Sequence, residues 1–265
     1  MNINDIVSGC NFQKIANHVI DSTSVNNKRD YKDNDIIFCK TDFVSVLFSQ
    51  LRDSKNKYTL ITHQSDYEIN ERIFNTKPQC INRWFAQNVN YKHTALIPIP
   101  IGIENHTGPS KGIYTDFDFF NSLDITKVPQ KIHNKIYCNF SIKTHPHRNG
   151  ILNSLVSNGV GVSASNKPYK EYWEEASKYL FIASPRGNGI DCHRTWEALL
   201  MGSIPIVEKH FMYDAYPHLP IMQVDDWSEF VDMNYPSPKG DGFPLSSNSF
   251  GVVQRLLRVV PTLVF

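Results

Sequence analysis

Between residues 179 and 207 the chain alternates in a way that admits few folds. An apolar run, Tyr179-Leu180-Phe181-Ile182-Ala183, enters a glycine-containing loop, Ser184–Asp191. A helical segment, Cys192–Met201, follows, and a second apolar run, Ile204-Pro205-Ile206-Val207, closes it. Two short apolar runs joined through a helix describe parallel strands, because parallel neighbours need a long crossover connection. The same alternation recurs upstream. Asp35–Cys39, Tyr58–Thr62 and Lys135–Phe140 read as strands, with the apolar run Ala95–Gly102 between the last two. Ile6–Val19, Phe43–Leu51, His147–Ser157 and Tyr169–Lys178 have helical spacing. Alternating strands and helices predict an α/β protein with mostly parallel sheets.

Residues 106–134 interrupt this rhythm with Gly108-Pro109, Gly112 and Pro129, as a linker does. The expected organisation is two α/β halves, residues 1–125 and 126–265. A length of 265 residues fits two small domains at roughly 100–200 residues each.

Composition excludes several classes. Hydrophobic residues at 41% supply a core, which rules out whole-chain disorder. Lys plus Arg number 27 against 26 Asp plus Glu, so no broad basic field exists to bind nucleic acid. The apolar runs fall far short of the roughly 20 residues of a membrane helix. Five scattered cysteines without a Cys-x-x-Cys pair indicate neither a disulfide nor a zinc framework. With no apolar leader at Met1–Asp5, the expectation is a reduced, soluble, cytoplasmic protein. His133, His145 and His147 lack a carboxylate or cysteine companion at ligand spacing, so they read as loop residues and no metal site is expected.

The loop after the 179–183 strand carries the chemistry. In open α/β sheets ligands sit at the carboxyl ends of strands, here Ser184, Pro185, Arg186, Gly187, Asn188 and Gly189. The glycines admit close approach or positive φ, and the helix start attracts anions. Asp191 is placed to cap that helix, with His193 beside it. Arg194 and Glu197, three apart, share a helix face. A guanidinium suits a diphosphate and a carboxylate suits the hydroxyls of a ribose. The bland alternative is a surface ion pair above a shaped turn. A dinucleotide fingerprint fits less well, since Cys192 falls where its third glycine belongs, and no phosphate-loop Gly-Lys-Ser/Thr triplet occurs. An oxidoreductase or epimerase is disfavoured accordingly.

Pro185-Arg186-Gly187, Arg194, Glu197-Ala198-Leu199 and Gly202-Ser203-Ile204-Pro205-Ile206 together resemble the donor signature of exostosin-like (family 47 type) glycosyltransferases. Asn139-Phe140-Ser141 with Arg148 resembles the first strand–loop–helix of that donor domain. Thr62–Tyr67, Trp84–Asn88 and Pro98–Asn105 are similar to short forms of the family in algae and their large DNA viruses. The resemblance spans roughly residues 36–230. It implies a GT-B fold, two Rossmann-like halves facing across a cleft, with the nucleotide sugar on the C-terminal half and the acceptor on the other.

The implied activity is transfer of a sugar from a nucleotide-diphosphate sugar, UDP-linked first of all, to a glycan or glycoprotein acceptor. Related enzymes use xylose, galactose, glucuronic acid or N-acetylglucosamine. The resemblance also implies inversion and no metal cofactor, with Arg194 and Arg148 on phosphate, Glu197 on ribose, and the Gly187–Gly189 loop on diphosphate or sugar. Direct displacement needs a general base at a strand end of the N-terminal half. Asp66 is the first candidate, His63 the second and Glu104 the third. After Trp227 the chain departs from the family pattern, with Tyr235–Ser249 rich in Pro, Gly and Ser. That departure motivates a second reading, a non-catalytic nucleotide-sugar or glycan-binding module of the same fold.

Overall fold

The computed structural model describes residues 7–104, 129–164 and 167–230. The expected boundary near residue 125 and the segment Tyr235–Ser249 lie outside them. Among the described residues the protein is α/β, with two sheets of five strands in which every neighbouring pair is parallel. It separates into two compact units. One comprises Val7–Ile101 together with Asn188–Asp191; the other begins at Gly102 and resumes at Cys192.

The first unit contains α1 (Gly9–Lys14), β1 (His18–Ile20), β2 (Ile36–Lys40), α2 (Val44–Leu51), β3 (Tyr58–His63), α3 (Glu71–Phe74), β4 (Ile81–Ala86) and β5 (Leu96–Pro98). Its strand order is sequential, β1-β2-β3-β4-β5. The helical reading of Ile6–Val19 holds only for α1, where Ser8 Oγ accepts the Asn11 N–H at 3.3 Å, and Val19 belongs to β1. β4 was not expected, because Asn82 and Arg83 break its apolar run. Its Trp84 is fully buried, edge-on to Phe48 at 5.3 Å and stacked near Phe74 at 6.1 Å. The indole Nε1 donates to Thr62 Oγ1 at 2.8 Å, so the polar tip of this core aromatic is satisfied.

The second unit contains β6 (Ile132–Cys138), α4 (His147–Ser157), β7 (Gly161–Ser163), α5 (Tyr169–Ala176), β8 (Tyr179–Ala183), α6 (His193–Leu200), β9 (Ile204–Glu208) and β10 (Met222–Val224). The order is β10-β9-β8-β6-β7. From β6 the chain first goes to one side, then crosses to the other, so the order reverses between β6 and β8. Ile136, Cys138, Leu155, Phe181, Ala183 and Ile206 pack the core beneath that reversal.

Two devices fix the helices against this sheet. Helix α6 ends in a Schellman motif: Ser203 N–H reaches Ala198 O at 2.8 Å and Gly202 N–H reaches Leu199 O at 3.1 Å. Gly202 there has φ of 69°, a conformation that glycine adopts without strain. At the amino end of β6, Lys131 Nζ donates to Ser177 O at 2.6 Å, Met201 O at 2.8 Å and Ser203 Oγ at 2.9 Å. Burial brings its pKa down to about 7.

Candidate active site

In the second unit, the loops after β6 and after β8 leave the carboxyl edge on the two sides of the strand-order reversal. Such a switch point is where open α/β sheets form a ligand crevice. Arg148, in the first turn of α4, ties the two loops together and is 5% exposed. Its Nε donates to Arg186 O at 2.9 Å, and Nη1 donates to Ser141 O at 3.0 Å and Thr144 Oγ1 at 2.6 Å. Nη2 donates to Pro185 O at 2.7 Å and Cys192 Sγ at 3.5 Å. These contacts occupy the five N–H donors of a guanidinium, and its face lies 5.5 Å from the Phe140 ring. The residue expected to meet phosphate is therefore placed as a clamp between loops.

Gly187 sits against the same guanidinium. A Cβ built there would lie 3.1 Å from Arg148 Nη2, so close approach explains this glycine. Neither Gly187 nor Gly189 has positive φ, which removes that part of the sequence argument. Ser184 and Thr195 are both buried, and their hydroxyls are 2.8 Å apart, joining the end of β8 to α6. The Arg186 N–H donates to Glu208 Oε2 at 2.8 Å.

The N-cap of α6 is Cys192, whose side chain makes no capping hydrogen bond. Asp191 does not take that position. Its carboxylate is buried in the first unit and accepts the Ile101 N–H at 2.8 Å. The α6 amino end thus keeps the electropositive character of an uncapped helix start. His193 Nδ1 lies 2.8 Å from Gly102 O. Arg194, in the first turn, forms no hydrogen bond or ion pair among the described residues, and its Nε is buried without a partner.

Glu197, one turn on, is 3% exposed. Its Oε2 accepts the Tyr172 hydroxyl at 3.0 Å, and Tyr169 Oη lies 3.5 Å from Oε1. The surface ion pair that the i,i+3 spacing allowed is absent among the described residues. Burial, and then the neighbouring Glu197 carboxylate, push the Tyr172 phenol well above its ordinary pKa and keep it a donor. Tyr169 and Tyr172, three apart on α5, were missed in the sequence, although their spacing puts them on one face. Glu208, just past the expected end of β9, was missed as well.

In the first unit, the loops after β3 and β4 meet the segment Asn188–Asp191. Asp66 is exposed, and its Oδ2 accepts from Asn188 Nδ2 at 3.2 Å. His63 is 1% exposed, with Nε2 3.1 Å from Pro100 O and its ring 5.2 Å from Phe12. A carbonyl only accepts, so Nε2 carries the proton. Gln64 and Asn88 have φ of 59° and 54°. Glu104 is half-buried and falls in the second unit. Among the described residues no group of three or more His, Cys, Asp or Glu gathers as a metal site. No described helix is long and apolar enough to cross a membrane.

The arrangement defines a parallel α/β protein with an electropositive helix start and a buried, tyrosine-held carboxylate at a switch point. No family model and no curated protein matches the chain. Among solved structures it is similar to the crystal structure of an α1,3-fucosyltransferase, with a TM-score of 0.43 and 13% identity over 88% of this chain and 79% of that one. It is also similar to the α1,3-fucosyltransferase with GDP-fucose, with a TM-score of 0.41 and 12% identity over 87% and 79% of the two chains. At these values the likeness concerns the path of the backbone and bears on neither activity nor ligand.

Proposed function

We propose that the protein is a glycosyltransferase of the exostosin-like type that uses a nucleotide-diphosphate sugar, with UDP-sugars, UDP-xylose among them, as the first donors to test. The observation that carries the reading is Arg194: a half-buried guanidinium with no partner among the described residues, in the first turn of an uncapped helix. An uncompensated cation at such a place is unfavourable unless an anion completes it, and a diphosphate does so. Glu197, oriented by Tyr172 and Tyr169, is the carboxylate assigned to a ribose. Helix end and guanidinium together stabilise the charge that grows on the departing diphosphate.

In the reaction, Asp66 takes the proton of the acceptor hydroxyl. The acceptor oxygen attacks the anomeric carbon as its bond to the diphosphate oxygen breaks, and the configuration inverts. Asp66 fits the base better than His63 because it is exposed, whereas the His63 ring is packed in the interior. The role of electrostatic stabiliser falls to Arg194 and the helix end, so transfer in EDTA is expected to equal transfer without it. A non-catalytic binding module remains the second reading, motivated by the departure of the sequence from the family after Trp227.

The test is release of nucleoside diphosphate from a panel of UDP- and GDP-sugars with and without a panel of oligosaccharide acceptors. Acceptor-dependent release, lowered about a hundredfold or more in Asp66→Asn, is expected. Donor binding without acceptor-dependent release supports the binding module. Absence of any nucleotide-sugar binding overturns both.

A further inference from the structure

One heavily constrained side chain of the first unit, Asn88, is not used by the chemistry above. It follows β4, is fully buried and has φ of 54°. A left-handed non-glycine residue is uncommon and persists only when its surroundings dictate it. Here they do. Asn88 Nδ2 donates to Ser65 O at 3.1 Å, in the loop that carries Asp66. Asn88 Oδ1 accepts the backbone N–H of Asp191 at 3.0 Å, in the glycine segment. Gly189 packs so closely that a Cβ would come within 2.6 Å of Asn88 Nδ2.

Neighbouring groups reinforce both sides. Gln87, 1% exposed, donates to Ser65 O at 3.0 Å and accepts the Gln64 N–H at 3.0 Å. On the other side Asn188 reaches Asp66 and the Asp191 carboxylate holds the Ile101 N–H. One amide therefore fixes the 63–66 loop and the 188–191 segment in a single register.

We propose that Asn88 is a positioning residue for sugar transfer, which seats the glycine segment Asn188–Asp191 against the loop bearing Asp66. The inference rests on the glycosyltransferase reading. A base loop and a glycine segment that drift by about 1 Å lose on the order of a hundredfold in rate, because the reacting groups leave their near-attack geometry. Nucleotide binding, which falls to Arg194 and Glu197 in the second unit, does not depend on Asn88. Loss of Asn88 therefore divides the kinetics, lowering kcat and leaving nucleotide affinity intact.

Asn88→Gly is the decisive variant. It deletes the amide while relieving the left-handed strain, so the fold survives where Asn88→Ala would pay for an αL alanine. Three measurements are made on wild type and variant: melting temperature, affinity for UDP and GDP by calorimetry, and acceptor-dependent turnover. Expected for Asn88→Gly is a kcat lower by about tenfold to a hundredfold with nucleotide affinity within about twofold. Amide exchange at Asp191 becomes faster by about tenfold or more, a readout that needs no donor. Gly189→Ala, harmful in the wild-type background, regains most of its folded yield when combined with Asn88→Gly, since the clash is gone. Unchanged kcat or unchanged Asp191 exchange overturns the proposal, as does a parallel loss of kcat and nucleotide affinity. A wild type that binds no nucleotide and turns over no donor overturns the glycosyltransferase reading instead, and this inference falls with it.

Discussion

Replacing Arg148 with methionine separates two roles for this residue. Methionine keeps the length and apolar character of the stem and removes the whole guanidinium. Five hydrogen bonds disappear: those to Ser141 O, Thr144 Oγ1, Pro185 O, Arg186 O and Cys192 Sγ. Ser141 O keeps the Thr144 hydroxyl at 3.2 Å, and Pro185 O keeps the weak Cys192 thiol donor at 3.2 Å. Counting the two bonds to the β8 loop alone, at about 1.5–3 kcal/mol for each charge-assisted bond, the expected loss is about 3–6 kcal/mol. That is a large share of the ~5–15 kcal/mol that holds a typical domain together. The assay is urea unfolding followed by far-ultraviolet circular dichroism, with UDP and GDP affinity measured on the same samples below the transition. Arg148→Lys, which cannot fork between loops, lies between the two proteins. A change in stability below about 1 kcal/mol, with nucleotide affinity lost, would refute the clamp and return Arg148 to the phosphate role that its sequence position suggested.

Other consequences follow from the same geometry. Tyr172→Phe removes the 3.0 Å bond to Glu197 and leaves a buried carboxylate short of a donor; stability falls by about 1–3 kcal/mol and affinity for the ribose part of a donor falls with it, measured by comparing a nucleoside diphosphate with pyrophosphate. Burial alone would raise the pKa of Glu175, but the Tyr137 hydroxyl at 2.7 Å and Lys167 at 3.0 Å outweigh it and hold the carboxyl below its ordinary value. A depressed carboxyl stabilises the fold above the unfolded pKa of about 4.3 and loses that contribution as pH falls through the folded value. Stability of the second unit is accordingly expected to fall below about pH 4.5 with a slope that Glu175→Gln reduces; an unchanged slope in the variant counts against the assignment.

Much of the second unit was legible in the sequence. The helix His147–Ser157 and the strand Tyr179–Ala183 were read with the bounds they have, because apolar spacing and turn residues agree there. Gly202 was recognisable as part of a motif, and the Schellman bonds supply its physical reason. The first unit was harder. β1 is a three-residue strand fused to a helical pattern, and β4 hides its period behind Asn82 and Arg83. β7 and β10, three residues each, carry too little pattern to find.

At the site, residue types were readable but their partners were not. Arg148 has the chemistry of a phosphate ligand, and only the distances to five protein acceptors reveal a clamp. Asp191 has the chemistry of a cap, yet its carboxylate serves Ile101, 90 positions away. Asn88 was visible as part of a motif, but its strain and its two loop contacts arise from tertiary packing that a local window does not contain.

In the proposed function, Arg194 and the start of α6 form an anion site for a nucleotide diphosphate. Calorimetric titration of UDP and GDP into the wild type and into Arg194→Met tests it most directly. Micromolar-range binding of at least one nucleotide by the wild type is expected, weakened about tenfold to a hundredfold in the variant without loss of melting temperature. Equal affinity in the two proteins, or none in the wild type, would contradict it.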